Sequence, residues 1–328
     1  MKVQQFELWP QCNNNCSYCY LGKRKYDNNP EYKLKMLNFA LDWMQNYDNY
    51  EEYDNVSFIG GEFFQGQLDT PEVRAKWFEM LDVLYDLFDN DLIRASWWSA
   101  TLAIGDQKDL YESLEKFQDV CNAKRQLWVV TSYDTIGRFH SKEHFETWGR
   151  NVKEVKKRFP WIFLNTCMII TDDLCKKVVS GELDLQKFRE EYQTQLFLKP
   201  TYAIAGLYDH KQQHKMSIKQ DMNKRIPGFY PTRENFLNMC KFLKEHQPDI
   251  LGKMIEQKYR ADNIFRESLE DHKLRNEFRS RDNSLQEGID VNPDCGHSLA
   301  YKSYIDCENC IVCDKHAIEF GKDLDETK

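Results

Sequence analysis

Cys12, Cys16 and Cys19 lie in the run Cys12-Asn13-Asn14-Asn15-Cys16-Ser17-Tyr18-Cys19, a three-then-two spacing of thiols. Three thiolates so placed can ligate three irons of a four-iron cubane and leave the fourth without a protein ligand. A cluster held only for electron transfer normally takes four cysteines, whereas a catalytic metal centre keeps a position open, as catalytic zinc does. The spacing therefore points to a metal–sulfur centre at which something besides the protein docks. A second concentration of ligands lies near the other end, at Cys295, His297, Cys307, Cys310 and Cys313. Four cysteines there suit a second 4Fe-4S cluster, and Cys295 with His297 or Cys307, plus Cys310 and Cys313, suit a tetrahedral structural zinc. The Cys-x2-Cys-x2-Cys run leans toward the cluster, the Cys-x-His pair and the closing Cys-x2-Cys toward zinc, and both stand open. Either metal would staple a polar segment with little core of its own.

The chain has 11 cysteines in 328 residues. It is therefore no small disulfide-stapled scaffold, and it is long enough for one large α/β barrel or two domains. The first residues lack the charged-then-apolar pattern of a secretory signal, and no apolar run approaches about 18 residues, which predicts a cytoplasmic protein without a membrane span. In that reducing compartment grouped cysteines read as metal ligands before disulfides, and the isolated Cys121, Cys167, Cys175 and Cys240 as small buried hydrophobes. With 45 Lys and Arg against 53 Asp and Glu, a net charge of −8 disfavours generic nucleic-acid binding, whose affinity rests on positive charge.

These groups must be carried by regular elements, and apolar periodicity places a strand-then-helix alternation over roughly the first two-thirds of the chain. Strands are expected at Lys2–Leu8, Asn55–Ile59, Ile93–Ala103, Leu127–Ser132, Trp161–Ile170 and Leu196–Ile204. Helices are expected at Tyr32–Tyr47, with Leu34, Leu37, Leu41 and Met44 on one stripe, and at Pro71–Phe88, opened by Thr70 with Pro71 in the first position. Further helices follow at Gln107–Val120, from a Ser141 cap to Arg158, at Thr171–Val179 and at Leu185–Tyr192. Six such units predict a parallel sheet. Cys12 directly follows the first strand, where a barrel gathers reactive groups at its C-terminal rim.

The same rim receives Gly60-Gly61-Glu62 after the second strand and Thr131-Ser132-Tyr133-Asp134 at the end of the fourth. Glycines let a ligand approach the backbone and a carboxylate can meet a cation, although the triplet taken alone also fits an ordinary Gly-rich turn. Ser132 and Asp134 can hydrogen-bond a ribose or cap a turn. Asn165 and Thr166, inside the fifth strand, need partners from ligand or protein if buried. Thr101 on the third strand and Lys199 and Tyr202 on the sixth are further candidates for the same space. After Ala205 the rhythm stops. Residues 206–290 are polar, with one helix at Arg233–His246, set up by Pro231 and Thr232, and a charged one around Ile255–Phe278.

The run from Cys12 to Cys19 resembles the signature of the radical S-adenosylmethionine superfamily, Cys-x3-Cys-x-aromatic-Cys, with Tyr18 as the aromatic. The resemblance implies a 4Fe-4S cluster on Cys12, Cys16 and Cys19, with the amino and carboxylate groups of S-adenosylmethionine chelating the fourth iron. One electron would then split the sulfonium into methionine and a 5′-deoxyadenosyl radical that abstracts hydrogen from a substrate. It also implies an α/β fold: a partial (β/α)6 TIM-like barrel over residues 1–205, followed by a mainly helical, metal-stapled C-terminal extension over 206–328 with its Cys-rich segment at 295–313. Gly60, Gly61 and Glu62 look like the family's GGE element, which implies contact between Glu62 and the cofactor's α-amino group. Phe63 stands where the family commonly has Pro. Ser132 and Asp134 resemble its fourth-strand contacts and Asn165 its fifth-strand polar contact. The expected cofactor-binding set is thus Tyr18, Gly60, Gly61, Glu62, Ser132, Asp134 and Asn165. The C-terminal cysteines are similar to those of members carrying auxiliary clusters, although their spacing departs from the longer pattern of the peptide-maturase extensions.

The expected function is reductive cleavage of S-adenosylmethionine for hydrogen abstraction from a peptide, nucleotide or small metabolite, fed by an external flavodoxin- or ferredoxin-like electron donor. A reading from another class competes: a non-catalytic iron–sulfur or zinc metalloprotein, acting as a redox carrier or as a nucleic-acid-binding regulator. Glu62 separates carrier from enzyme, because a carrier needs no partner for a ligand amine. The acidic balance weighs against the regulator. Trp97, Trp98 and Trp128, near expected strands, read as core before substrate platform.

Overall fold

The computed structural model describes residues 3–9, 11–14, 16–18, 29–200, 226–229 and 231–251. The elements run β1 (Val3–Glu7), α1 (Pro30–Gln45), a 3-10 turn (Tyr47–Glu51), β2 (Asn55–Ile59), α2 (Pro71–Asp89), β3 (Ala95–Ser99) and α3 (Lys108–Glu115). They continue through β4 (Gln126–Ser132), α4 (Lys142–Arg158), β5 (Phe163–Ile170), α5 (Asp172–Ser180), α6 (Leu185–Tyr192), β6 (Gln195–Pro200) and α7 (Arg233–His246). The six strands form one sheet in the order β1-β2-β3-β4-β5-β6, and the first four pairings are parallel. That order decides between the two architectures the alternation allows. A doubly wound sheet reverses at a switch point, whereas strands that always step the same way through right-handed crossovers carry their helices on one face. The latter is the winding of a (β/α) barrel, here with six strands instead of eight.

Local chemistry starts and stops these elements. Thr70 accepts from Val73 N–H at 3.3 Å to open α2, Ser141 from His144 N–H at 3.1 Å to open α4, and Thr171 from Leu174 N–H at 3.1 Å to open α5. Several boundaries differ from expectation, three of them with a visible cause. Asn29 caps α1 through Glu31 N–H at 2.9 Å with Pro30 in the first turn, so the helix begins before Tyr32. The third strand is shorter than Ile93–Ala103, because Ile93 N–H is spent on Leu87 O and Leu102 takes φ +55°, a left-handed conformation that ends extended pairing. The third helix stops at Glu115, with Phe117 N–H bonding Leu114 O in a tighter turn.

The sheet's two faces are distinct. Phe6 packs on Trp43, Phe58 on Trp77, and Thr131 accepts from Trp148 Nε1–H at 3.1 Å, so these positions face α1, α2 and α4. The opposite face carries a register layer of Gln5, Ser57, Trp97, Trp128 and Phe163, the last two stacked at 4.6 Å. Trp98, fully buried, belongs to the helix-side core, while Trp97 and Trp128 are half-buried on the other face.

Cys167, Cys175 and Cys240 are buried and Cys121 half-buried, and burial pushes the thiols of Cys121 and Cys240 up to about 12. Cys167, Cys175 and Cys240 are the small buried hydrophobes expected, while Cys121 is only partly buried. Among the described residues, those up to Met168 together with Lys187–Leu196 form one compact unit, and those of Ile169–Gln186 and from Phe197 onward form a second. In the second unit Asp172 accepts from Thr232 N–H at 3.1 Å and Asn235 Nδ2–H at 2.6 Å, fastening α5 to the start of α7. No helix among the described residues is long and apolar enough to cross a membrane. The expected boundary at residue 205, Tyr202, the helix at Ile255–Phe278 and the segment 295–313 lie outside the described residues, as does the side chain of Lys199.

Candidate metal and cofactor site

Beyond β1 the chain passes through the buried Leu8 and Trp9 into the cysteine loop. Leu8 N–H bonds Ile59 O at 3.2 Å, Gly61 N–H bonds Trp9 O at 2.8 Å and Glu62 N–H bonds Gln11 O at 2.6 Å. Asn13 Nδ2–H donates to Gln65 O at 2.8 Å, and Gln67 Nε2–H to Asn13 Oδ1 at 3.2 Å. Lys33, buried in α1, closes this side by donating to Gln67 O at 2.6 Å and to Asp69 at 3.0 Å. Burial pulls the Lys33 pKa down and Asp69 opposes the shift. Gly60 is required by the closeness of these strands' ends: its φ is +146°, and a Cβ there would stand 2.4 Å from Trp9 O. What approaches Gly60 is the protein's own carbonyl. Phe63, at the position of the family's Pro, is fully buried and packs edge-on against Trp9 at 5.2 Å, anchoring the loop in the core.

On the other side the loop meets the segment after β4. Ser17 N–H donates to Gly137 O at 2.7 Å, and His140 Nε2–H to Asn14 O at 2.9 Å. Tyr18 donates its phenol proton to Asp134 Oδ2, and Arg138 Nε–H reaches the same oxygen at 2.9 Å. Two residues expected separately in the cofactor set, Tyr18 and Asp134, are thus in contact across 116 positions of sequence. Burial, and then Asp134, raise the Tyr18 pKa well above its ordinary value, so the phenol stays neutral. Burial works against the Arg138 charge, but Tyr18, Cys16 and Asp134 outweigh it and hold its pKa well above the usual range.

Between these two sides sit the thiols. Asn14 is fully buried; its backbone N–H approaches Cys12 Sγ at 3.4 Å and its Nδ2–H approaches Cys16 Sγ at 2.9 Å. One residue therefore touches both sulfurs. Cys19, the third expected ligand, lies outside the described residues, and among those described no group of three or more His, Cys, Asp or Glu is arranged to hold a metal ion. Cys295, His297, Cys307, Cys310 and Cys313 also lie outside them.

Glu62 is fully buried, and its carboxylate is already engaged: Oε1 accepts from Phe63 and Phe64 N–H, each at 2.9 Å, and Oε2 from Thr101 N–H at 2.6 Å. Burial raises its pKa and these donors oppose the rise. An ionised carboxylate offers about four lone-pair positions, so about one remains for a ligand ammonium. Ser132 pairs with Cys167, and Asn165 with Val130, which puts Ser132 and Asn165 on one face of neighbouring strands. Asn165 is 5% exposed, and its Oδ1 has no hydrogen-bond partner among the described residues. Gln65, in the loop bonded to Asn13, leaves both side-chain amide atoms buried and unpartnered among the same residues, and Asn14 Oδ1 is likewise unpartnered. Buried polar atoms normally find partners; the unmet Oδ1 of Asn14, whose other groups contact two soft sulfur donors of the kind that suit iron–sulfur ligation, fits a site that receives a group from outside the chain. Thr166, by contrast, is satisfied by Thr194 at 2.9 Å.

Asn14, Arg138 and His140 escaped the motif reading. Only Arg138 left a local signal, an acid–base spacing of four residues from Asp134 across Gly137, whose φ is +80°.

Comparison with models of known protein families finds no match, and comparison with curated protein sequences finds no relative. Among solved structures the chain is similar to SuiB of Streptococcus suis, determined bound to S-adenosylmethionine, with 14% identity and a TM-score of 0.37. The likeness covers 68% of this chain and 44% of SuiB, so the chain spans less than half of that protein. A likeness of this degree assigns neither activity nor substrate.

Proposed function

We propose that this chain is a radical S-adenosylmethionine enzyme in which Cys12, Cys16 and Cys19 hold a 4Fe-4S cluster. The observation that carries the reading is the Cys-x3-Cys-x-Tyr-Cys loop itself, directly after β1, with Cys12 and Cys16 meeting at Asn14 and Tyr18 bonded to Asp134 beyond β4. A 4Fe-4S cluster on these cysteines would supply the one-electron reduction by which S-adenosylmethionine yields methionine and a hydrogen-abstracting 5′-deoxyadenosyl radical. The chain's own residues bind and orient. Asn14 offers N–H groups to both sulfurs, which favours the thiolate form that ligates metal. Asn165 Oδ1 and the remaining lone pair of Glu62 offer acceptors to hydroxyl or ammonium donors of the cofactor, and Ser132 adds a hydroxyl on the same face. A flavodoxin- or ferredoxin-like electron donor, a peptide, nucleotide or small-metabolite substrate, a cytoplasmic location and a C-terminal zinc or second 4Fe-4S site belong to the same proposal.

Anaerobic reconstitution followed by S-adenosylmethionine and dithionite should yield 5′-deoxyadenosine, and Cys16→Ala should abolish both the N-terminal cluster and the product while sparing any C-terminal metal. Equal product with and without Cys16 would overturn the reading. The carrier alternative draws on the engagement of Glu62 with three backbone N–H groups. Equilibrium binding of S-adenosylmethionine to the anaerobic holoprotein separates the two, since a carrier binds none.

A further inference from the structure

We infer that Arg138 raises the reduction potential of the N-terminal cluster, its fixed positive charge being held beside Cys16 by Asp134 and by the backbone bond from Ser17 to Gly137; this rests on Cys12, Cys16 and Cys19 being the cluster's ligands. Arg138 is buried to 9% exposure and donates through Nε at 2.9 Å to Asp134 Oδ2, the same oxygen that accepts from Tyr18, two residues past Cys16. Gly137, the residue before it, accepts from the N–H of Ser17, the residue after Cys16, at 2.7 Å, so the backbone that carries Arg138 is fastened to the cysteine loop. A guanidinium stays charged at every working pH. Reduction adds one negative charge to the cluster, and cluster potentials follow net charge, hydrogen bonds to sulfur and solvent exposure. A cation in a poorly hydrated position therefore favours the reduced state. Asp134 acts in the opposite sense, with its charge partly spent on the Tyr18 and Arg138 donors.

The opposite signs of the paired charges supply the test, an anaerobic redox titration of the reconstituted full chain followed by electron paramagnetic resonance. A signal missing from Cys16→Ala is assigned to the N-terminal cluster. Arg138→Gln should lower the reduced-to-oxidised ratio at fixed poise on the order of tenfold, about 59 mV for one electron. Arg138→Lys, which keeps the charge, should stay near wild type, and Asp134→Asn should shift the ratio upward with iron content unchanged. A purely structural role would change iron occupancy and leave the potential of the remaining cluster where it was. Arg138→Gln titrating with wild type, or Arg138→Gln and Asp134→Asn shifting in the same direction, overturns the inference. If Arg138→Gln does not fold, a downward or null shift in Asp134→Asn does so. A wild-type chain with no Cys16-dependent signal instead overturns the assignment of the cysteines.

Discussion

On its β2 side the cysteine loop is itself bonded by neutral groups, backbone to backbone at Trp9 and Gln11 and amide to amide at Asn13, with the Lys33–Asp69 pair one step behind them at Gln67, whereas on its β4 side it meets an ion pair, a phenol and an imidazole directly. The difference separates two tasks. Neutral hydrogen bonds contribute about 0.5–1.5 kcal/mol each and act only over contact distance, so the β2 side fixes where the loop lies whatever the loop carries. Charges act over longer distances in a poorly hydrated site, so the β4 side, besides fixing the loop, can act on groups it does not touch.

The largest expected effect tests the charged side. Arg138→Met should destabilise the chain by about 3–5 kcal/mol, because it removes the guanidinium that donates to the buried Asp134, 2% exposed. Most of that loss should be recovered in the double variant with Asp134→Asn, which removes both charges. Denaturant unfolding of the two variants measures this, and a double variant no more stable than the single one would mean that shape, and not charge, is what Arg138 contributes. On the neutral side the corresponding break is Gly60→Ala. Its Cβ would stand 2.4 Å from Trp9 O at a φ of +146°, and strain of this kind costs on the order of 3 kcal/mol. A melting temperature equal to wild type would show that the ends of β1 and β2 can part freely.

Glu62→Gln sharpens the comparison, since the residue belongs to the β2 side yet has an ionisable side chain, whose pKa burial raises. Its carboxylate accepts three backbone N–H bonds, and a carboxamide would turn its own N–H groups toward some of those donors. One unmet buried donor costs about 1–3 kcal/mol, so stability should fall even without cofactor. If stability holds and only S-adenosylmethionine affinity drops, Glu62 serves the ligand and not the loop.

What could be read in advance follows how far each feature reaches along the chain. The caps Thr70, Ser141 and Thr232 and the strand-then-helix order depend on residues within a few positions of each other, and they lie where the sequence pattern places them. The Asn29-Pro30 start of α1 was equally local but was masked by the apolar stripe that begins later. The cysteine spacing and the Gly-Gly-Glu triplet were legible as chemistry, but the engagement of the Glu62 carboxylate was not, because Thr101, one of its donors, lies 39 residues away. Arg138 and His140 were invisible for the same reason. An arginine in a polar loop looks like any surface cation until folding buries it against Asp134 and the cysteine loop.

The smallest effect is expected at the contact that joins the cysteine loop to the charged side. Tyr18→Phe keeps the ring, which is 8% exposed, and removes only the hydroxyl that donates to Asp134. Asp134 keeps Arg138 as a donor to the same oxygen, so no buried charge is stranded and the loss should be about 1 kcal/mol. Iron content after reconstitution should stay at the wild-type level, because the sulfurs are held by Asn14 and the backbone bond at Ser17, neither of which involves the phenol. Loss of iron in Tyr18→Phe, with the fold intact by circular dichroism, would mean that the phenol and its carboxylate position the sulfurs, and that the two sides do not divide their tasks between position and charge.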